Sequence, residues 1–407
     1  MSRVDELIAK HCPLGVDTKL LGDVAQLVRG NGMPKTVLTD GGIGAIHYGQ
    51  IYTRYGVSTD STFSFVAPET ASKLTRADPG DVIITNTSEN LEDVGKAVAW
   101  LGENPIVTGG HATVIKSAMD PKFLSYWFRT PSFFAQKKVL ATGTKVIDVS
   151  ARQLAKVRVP VPPIQVQREI VRILDQFTQL EAELEAELEA RRRQYEHYRS
   201  AFFHETESAE VEWSTLGKIS SRVSSGATPK AGAAEYYDGG TIPWLRTGEV
   251  TFGEIWDTKM KITDRALKET GASWIKENCV IVAISGATAG RSAINKIPLT
   301  TNQHCCNLQI DESRADYRYV FFWVSSMYEE LKAFGRGARA DLNAKLIKDF
   351  PIPIPALDEQ RRIVELLDRF DALVNDLNIG LPAEIAARRK QYEFYRDRLL
   401  SFEEVDA

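Results

Sequence analysis

The side chains of this 407-residue chain that could carry out chemistry are scattered or wrongly spaced for it. His304-Cys305-Cys306 puts three metal-capable groups in a row, whereas a zinc site draws on spaced ligands such as C-x-x-C. Its neighbours read as a strand, so these cysteines are expected as buried thiols. With Cys12 and Cys279 they make no disulfide scaffold. The histidines (11, 47, 111, 197, 204 and 304) form no cluster at ligand spacing. Gly286-Ala-Thr-Ala-Gly290 followed by Arg291-Ser292 superficially resembles a phosphate-cradling loop. Its glycines are too close together and the lysine is absent, so a tight turn between strands is expected. No G-x-G-x-x-G follows a strand, and neither H-E-x-x-H, G-x-S-x-G nor the N/D-P-P-[YF] of amino-methyltransferases occurs. The expectation is a chain with no catalytic residue and no metal site.

These groups belong to a chain that repeats itself. Residues 159–177 read VPVPPIQVQREIVRILDQF and residues 352–370 read IPIPALDEQRRIVELLDRF. At this offset of 193, Pro160, Gln167, Arg168, Asp175 and Phe177 match Pro353, Gln360, Arg361, Asp368 and Phe370. RRRQYEHYR at 191–199 then matches RRKQYEFYR at 388–396, an offset of 197, so the second copy carries four extra residues. The copies divide the chain into globular segments 1–158 and 208–350 and repeat segments 159–207 and 351–407.

Each repeat reads as a long helix. Ile170, Leu174, Phe177, Leu184, Leu188, Tyr195, Tyr198 and Phe202 follow heptad spacing, as do Ile363, Leu367, Phe370, Val374, Leu377 and Leu381. Ile385, Tyr392, Tyr395 and Leu399 resume the second stripe, so the four extra residues act as a stutter that keeps the seam on one face. Pro382, after Gly380, is expected to kink or interrupt this helix. About 40 helical residues span roughly 60 Å, and such a helix cannot bury its stripe alone. Antiparallel pairing of the two copies within one chain is the simplest solution.

The globular segments read as α+β (α/β) domains with many short strands. Asp81–Thr85, Pro105–Thr108, Cys279–Ser285 and Asn307–Ile310 are expected strands, and Pro121–Val139 and Tyr317–Phe334 expected helices. A glycine-bearing basic loop follows each helix, then a short helix (150–156 and 343–348). The middles differ, as two readers of different targets on one framework would. The net charge is −4, which argues against a simple nucleic-acid binder. The acid is concentrated in the repeats, each at −4, while the globular segments stand at +3 and +1 and leave room for a basic patch. No apolar run approaches the ~20 residues that span a bilayer, and the first residues lack the apolar core of a signal peptide. The expected location is cytoplasmic, with no membrane partner.

The chain resembles the specificity subunit of type I DNA restriction-modification systems. The likeness rests on the two helical repeats ending RRRQYEHYR and RRKQYEFYR, each after a Pro-x-Pro segment and a variable domain. Ser225–Pro229, Ile242-Pro-Trp-Leu245 with Gly248-Glu249, Ser285–Gly290, Thr301-Asn-Gln303, Asn86–Asn90 and Val94-Gly-Lys96 add weaker matches. The resemblance implies a pseudo-two-fold molecule. Two target-recognition domains each read one part of a bipartite site in double-stranded DNA, and two antiparallel helices set the spacer. It implies docking of two methyltransferase subunits, which carry S-adenosylmethionine, and of restriction subunits, which use ATP with magnesium. This chain would be the non-catalytic reader and bind no cofactor itself. A coiled-coil scaffold without DNA readout, or the specificity subunit of a fused restriction-methylation enzyme, are the alternatives.

Base readout needs donors and acceptors on loops, with Lys and Arg on phosphates. The candidates are Asn86, Ser88, Asn90, His111 and Lys145 in the first domain. In the second they are Arg246, Thr247, Ser285, Thr288, Arg291, Asn302, Arg336 and Arg339. Asn86–Asn90 could equally be turn residues bonding their own backbone, Asn302 a strand-end cap, and Arg336 and Arg339 surface ion pairs. On the helices, Arg191, Arg192, Arg193, Arg388, Arg389 and Lys390 are candidates for docking a partner, against a solvated face. Trp244, Trp274 and the four seam tyrosines are expected in the core.

Overall fold

The computed structural model describes residues 3–208, 211–335, 342–376 and 378–403, without the side chains of 200, 202 and 204–208. The chain forms two compact units, Met1–Glu185 with Glu384–Ala407, and Ala186–Ala383. Each unit joins one globular region to part of both repeat segments, so the boundaries fall inside helical sequence.

In the first unit, strands β1 (Ala25–Arg29), β2 (Ile43–Ile46), β3 (Val82–Thr85), β4 (Ala97–Trp100), β5 (Ile106–Thr108) and β6 (Ala112–Ser117) build two sheets. One runs in the order β1-β6-β3-β4, edged by Ser58–Thr59; the other sets β2 beside β5, edged by Ser64–Val66 and Thr75–Ala77. Val82-Ile-Ile84 is an unbroken apolar run, because all four residues of the strand, Thr85 included, are buried. The second unit repeats the plan with β7 (Ser220–Ser225), β8 (Ile242–Leu245), β9 (Val280–Ala283), β10 (Ser292–Asn295), β11 (Thr300–Thr301) and β12 (Cys305–Ile310). Its sheet order is β7-β12-β9-β10 with Glu254–Ile255 at the edge, and β8 pairs in parallel with β11 as β2 does with β5. The middles that look unrelated in sequence therefore share one topology. A close backbone approach recurs as well. A Cβ on Gly30 would lie 1.9 Å from the Gly109 carbonyl oxygen, and one on Gly226 would lie 1.7 Å from that of Thr301. Only glycine lets either loop leave its strand there.

The aromatic helices are each broken in two. Pro131 cannot continue Pro121–Trp127, and the Thr130 hydroxyl caps a new helix, Pro131–Leu140, by accepting from the Phe133 amide. Tyr317–Ser326 ends at Met327 and is followed by Tyr328–Ala333. The first repeat is one 45-residue helix, Ile164–Ser208. The second is two, Leu357–Asn375 and Leu381–Leu399, the second opening with Pro382 in its first turn. The extra residues are thus spent in an interruption, as expected near Pro382, rather than in a stutter. Leu377 lies outside the described residues.

The helices pair within the chain. In the first unit Phe177 stacks on Tyr395 at 5.3 Å, and Glu181 and Glu185 meet Arg389, an antiparallel order. In the second, Tyr195 and Tyr198 pack on Phe370. The residues that match between the repeats fasten helix to domain. The Gln167 side chain accepts from the Asp120 amide at 2.8 Å and donates to the Pro162 carbonyl at 2.7 Å. Gln360 does the same with Asp316 (2.9 Å) and Pro355 (2.8 Å). Asp175 takes Lys122 at 2.6 Å, and Asp368 takes Arg318 at 2.5 Å.

Candidate nucleic-acid interface

Parallel strands end side by side, so the residues that follow them converge. In the first unit His47 and Tyr48 leave β2, and Gly109–His111 leaves β5 to enter β6. The loop after β3 passes the same corner, where the Thr87 hydroxyl is 2.8 Å from His111 Nδ1. The Tyr48 ring lies 4.4 Å from that of His47 and 4.8 Å from that of His111. With Met33, Lys35 and Gly110 these residues line a cleft of about 470 Å³. His47 is itself a helix cap: its Nδ1 accepts from the Gly49 amide at 3.1 Å while Gln50 accepts from its own amide. Burial, helped by the charge of Lys35 and by His111, holds its imidazole below the ordinary histidine range. An unfolded chain takes up that proton near pH 6.5, the folded one only lower. Stability contributed here is therefore lost as pH falls from about 6.5 through the folded value. Urea midpoints of the parent and His47→Asn at pH 7.5 and 5.5 should show the smaller acid loss in the variant; equal losses would refute it.

The same corner exists in the second unit, and registers give the correspondence. Ile46 lies opposite Thr108 as Leu245 lies opposite Thr301, so Arg246 stands where His47 does and Thr247 where Tyr48 does. Glu249 accepts from the Arg246 amide at 3.4 Å as Gln50 does from His47. The carbonyl of His111 takes the Asn86 amide at 2.8 Å, and that of His304 takes the Ile284 amide at 2.9 Å. Ser285 thereby answers Thr87. The loops close alike, Gly95 donating to Thr85 and Gly290 to Ala283, both glycines at positive φ. The turns Thr247–Glu249 and Gly286–Thr288 pack together, and the Thr228 hydroxyl bonds Gln303.

Two of the sequence candidates are structural. Asn86 is fully buried, its amide donating to the Val149 carbonyl at 2.7 Å and its oxygen accepting from the Thr113 hydroxyl at 2.9 Å. Asn302, 7% exposed, accepts from the His304 amide and the Cys305 thiol. Asn86 has no atom to offer a base, and the side-chain oxygen of Asn302 is taken up within its own turn. Ser88 is half-buried. Asn90 is exposed but holds its turn, bonding the Asp93 amide at 2.8 Å and its carboxylate at 2.9 Å. His111, Lys145 and Arg246 are exposed; Thr247, Ser285, Thr288 and Arg291 are half-buried. Arg291 lies 6.0 Å over the Phe252 ring with its Nε enclosed and unpartnered. Arg336 and Arg339 lie outside the described residues. The first corner thus holds His111, and the second gathers Arg246, Thr247, Ser285 and Thr288; Lys145 lies in the turn between Thr142 and Asp148, whose Ile147–Asp148 end pairs with Thr87–Ser88. His47 and Tyr48 escaped notice, although Ile46-His-Tyr-Gly-Gln-Ile51 and Leu245-Arg-Thr-Gly-Glu-Val250 align around their glycines.

On the helices, Arg389 is tied to Glu181 and Glu185 of the paired helix, which corrects its reading as a partner contact. Arg191 bonds Glu187 and Gln194 as Arg388 bonds Glu384 and Gln391, each within its own helix. Arg192, Arg193 and Lys390 are exposed and make no ion pair among the described residues. Trp244 is core, but Trp274 is 42% exposed, against expectation. Cys305 and Cys306 are fully buried, and burial pushes both thiols up to about 12 and that of Cys279 to about 11. A native thiol titration should therefore count only Cys12, and all four after denaturation; a fast second native thiol would contradict the buried strand.

Residues 13–190 and 209–387 each match the family described as the type I restriction modification DNA specificity domain. The chain belongs to that family. Among its relatives is the EcoR124I/EcoR124II specificity subunit of Escherichia coli, 34% identical over 293 residues, 69% of this chain and 70% of that one. A putative type I specificity subunit of Haemophilus influenzae is 28% identical over 316 residues, 74% and 76% of the two chains. A solved chain from a study of assembly and conformational transition in a type I restriction-modification system has a TM-score of 0.67 at 17% identity. It is matched over 97% of its length and 95% of this chain. The HsdS subunit of Thermoanaerobacter tengcongensis, with the same coverage and identity, gives a TM-score of 0.54. This is a type I specificity subunit with two target-recognition domains. Each match takes in one corner and a repeat helix.

Proposed function

We propose that each target-recognition domain reads one half of a bipartite site in double-stranded DNA through its corner. The helices set the gap between half-sites and dock two methyltransferase subunits, with restriction subunits completing the complex. The chain acts as a non-catalytic reader in the cytoplasm. S-adenosylmethionine, and ATP with magnesium, belong to the partners, and this chain binds none of them. The observation that carries this reading is one backbone framework displaying different side chains at equivalent places: His47 against Arg246, Tyr48 against Thr247, Thr87 against Ser285. Histidine, arginine, threonine and serine can all address base edges or phosphates. Of the helix cations singled out in the sequence, Arg192, Arg193 and Lys390 are those without an ion pair among the described residues, and they are the ones left for a partner.

The test is to co-express the chain with the methyltransferase encoded beside it and map methylated adenines by single-molecule sequencing. Two short blocks around a fixed unspecific gap are expected. A continuous motif, or no methylation from a stable complex, would refute the two-reader scheme and favour a scaffold.

A further inference from the structure

Behind the first corner, in the first unit, lies a second cavity of about 320 Å³ that the DNA-reading scheme leaves unused. Its floor is the back of the reading loop, with Glu92 and Lys96, and the helix that follows His47, with Ile51 and Tyr52. Its walls bring Phe128, Arg129, Phe134, Lys137 and Arg396. Four cations face one carboxylate.

Three of the four are spoken for. Lys96 pairs with Asp93 at 2.7 Å and Arg396 with Asp397 at 2.7 Å. Lys137 is 4% exposed and donates to the carbonyls of Val94 at 2.6 Å and Glu92 at 3.2 Å. Arg129 is different. Its Nε is enclosed with no hydrogen-bond partner, and no carboxylate among the described residues lies within ion-pair distance. Tyr126 and Tyr392 lie near it but carry no charge at neutral pH. Arg129 is half-buried and lines the cavity; a guanidinium whose Nε is enclosed and unpartnered, with no counter-ion, is costly, and the framework does not require it. The two helices start at matching caps, Asp120 and Asp316, and nine residues on the second unit has Ser325, hydrogen-bonded to Ser292 at 2.7 Å.

We infer that this cavity binds a small organic anion, its phosphate or carboxylate on Arg129 and its apolar ring against Phe128 and Phe134. A planar guanidinium suits either head group, and the volume is that of a small ligand site. Because Lys137 and Tyr52 both bond carbonyls of the reading loop, occupancy would also stiffen that loop. The inference stands independently of what the loop reads.

The experiment is calorimetric titration of the full-length chain with phenyl phosphate, benzoate and inorganic phosphate. Saturable binding of at least one ring-bearing anion, tighter than inorganic phosphate, is expected, with tenfold or greater weakening in Arg129→Met. Phenyl phosphate alone would identify a phosphate ligand and benzoate alone a carboxylate; either supports the site. No saturable binding of either, or undiminished binding in Arg129→Met, overturns it. If Arg129→Met does not fold by circular dichroism, Lys96→Met takes its place, with threefold weakening expected and no change overturning the site.

Discussion

Replacing Gln360 by leucine is expected to destabilise the second unit by about 3 kcal/mol. The side chain is fully buried and satisfies two backbone groups at once, the Asp316 amide and the Pro355 carbonyl. Leucine fills the volume but leaves both without partners, at roughly 1–3 kcal/mol each. For a unit of this size, that corresponds to a melting temperature lower by roughly 6–12 °C. Asp316 caps the aromatic helix through the Arg318 and Tyr319 amides, so the damage would spread to the helix that meets Asp368. Gln167→Leu should do the same in the first unit, where the bonds to Asp120 and Pro162 repeat the arrangement. Scanning calorimetry of both variants checks this. A fall below about 1 °C in each would show that the glutamines are incidental to the joint between helix and domain.

Arg246→Ala is expected to weaken recognition of one block of the DNA site by about tenfold to a hundredfold and to leave the other block unchanged. The arginine is exposed, its backbone fixed by Glu249 and by the parallel pairing of β8 with β11. A guanidinium held this way and placed on a guanine is worth about 1–3 kcal/mol of discrimination. Tyr48→Ala should act on the opposite block, because Tyr48 holds the equivalent place beside His47 and His111. Methylated motifs from cells carrying each variant provide the readout. Uniform weakening across all sequences would move Arg246 to a phosphate. Loss of both blocks together would mean that the substitution acts on folding.

Much of this plan was visible in the chain. The heptad stripe and its interruption near Pro382 follow from side-chain periodicity and proline geometry, which are local. Gln167 and Gln360 stood out as a matched pair, and the structure supplies the reason, a hydrogen-bonded clamp that both copies must keep. Asn86 and Asn302 show where local reading fails. An asparagine that reads a base and one that satisfies a turn are the same residue. The burial of Asn86 is decided by Val149, 63 positions away. Arg389 failed likewise: its partners are more than 200 residues distant. His47 and Tyr48 were overlooked because their setting comes from two parallel strands, which share no sequence signal with each other.

The way the units divide the chain bears on its synthesis. The second unit, Ala186–Ala383, is one uninterrupted stretch, whereas the first needs its own beginning together with residues from Glu384 onward. The Val16 amide bonds the Glu403 carbonyl at 2.9 Å, Phe402 lies against Phe123, and Leu400 is buried in the same core as Val4 and Ile170. On the ribosome, at about 5–20 residues per second, the opening segment waits roughly 10–40 s for the strand of chain that completes it. The half of the protein made first is the half finished last, and until then Ile170 and Phe177 lack the cover that Leu400 and Tyr395 bring.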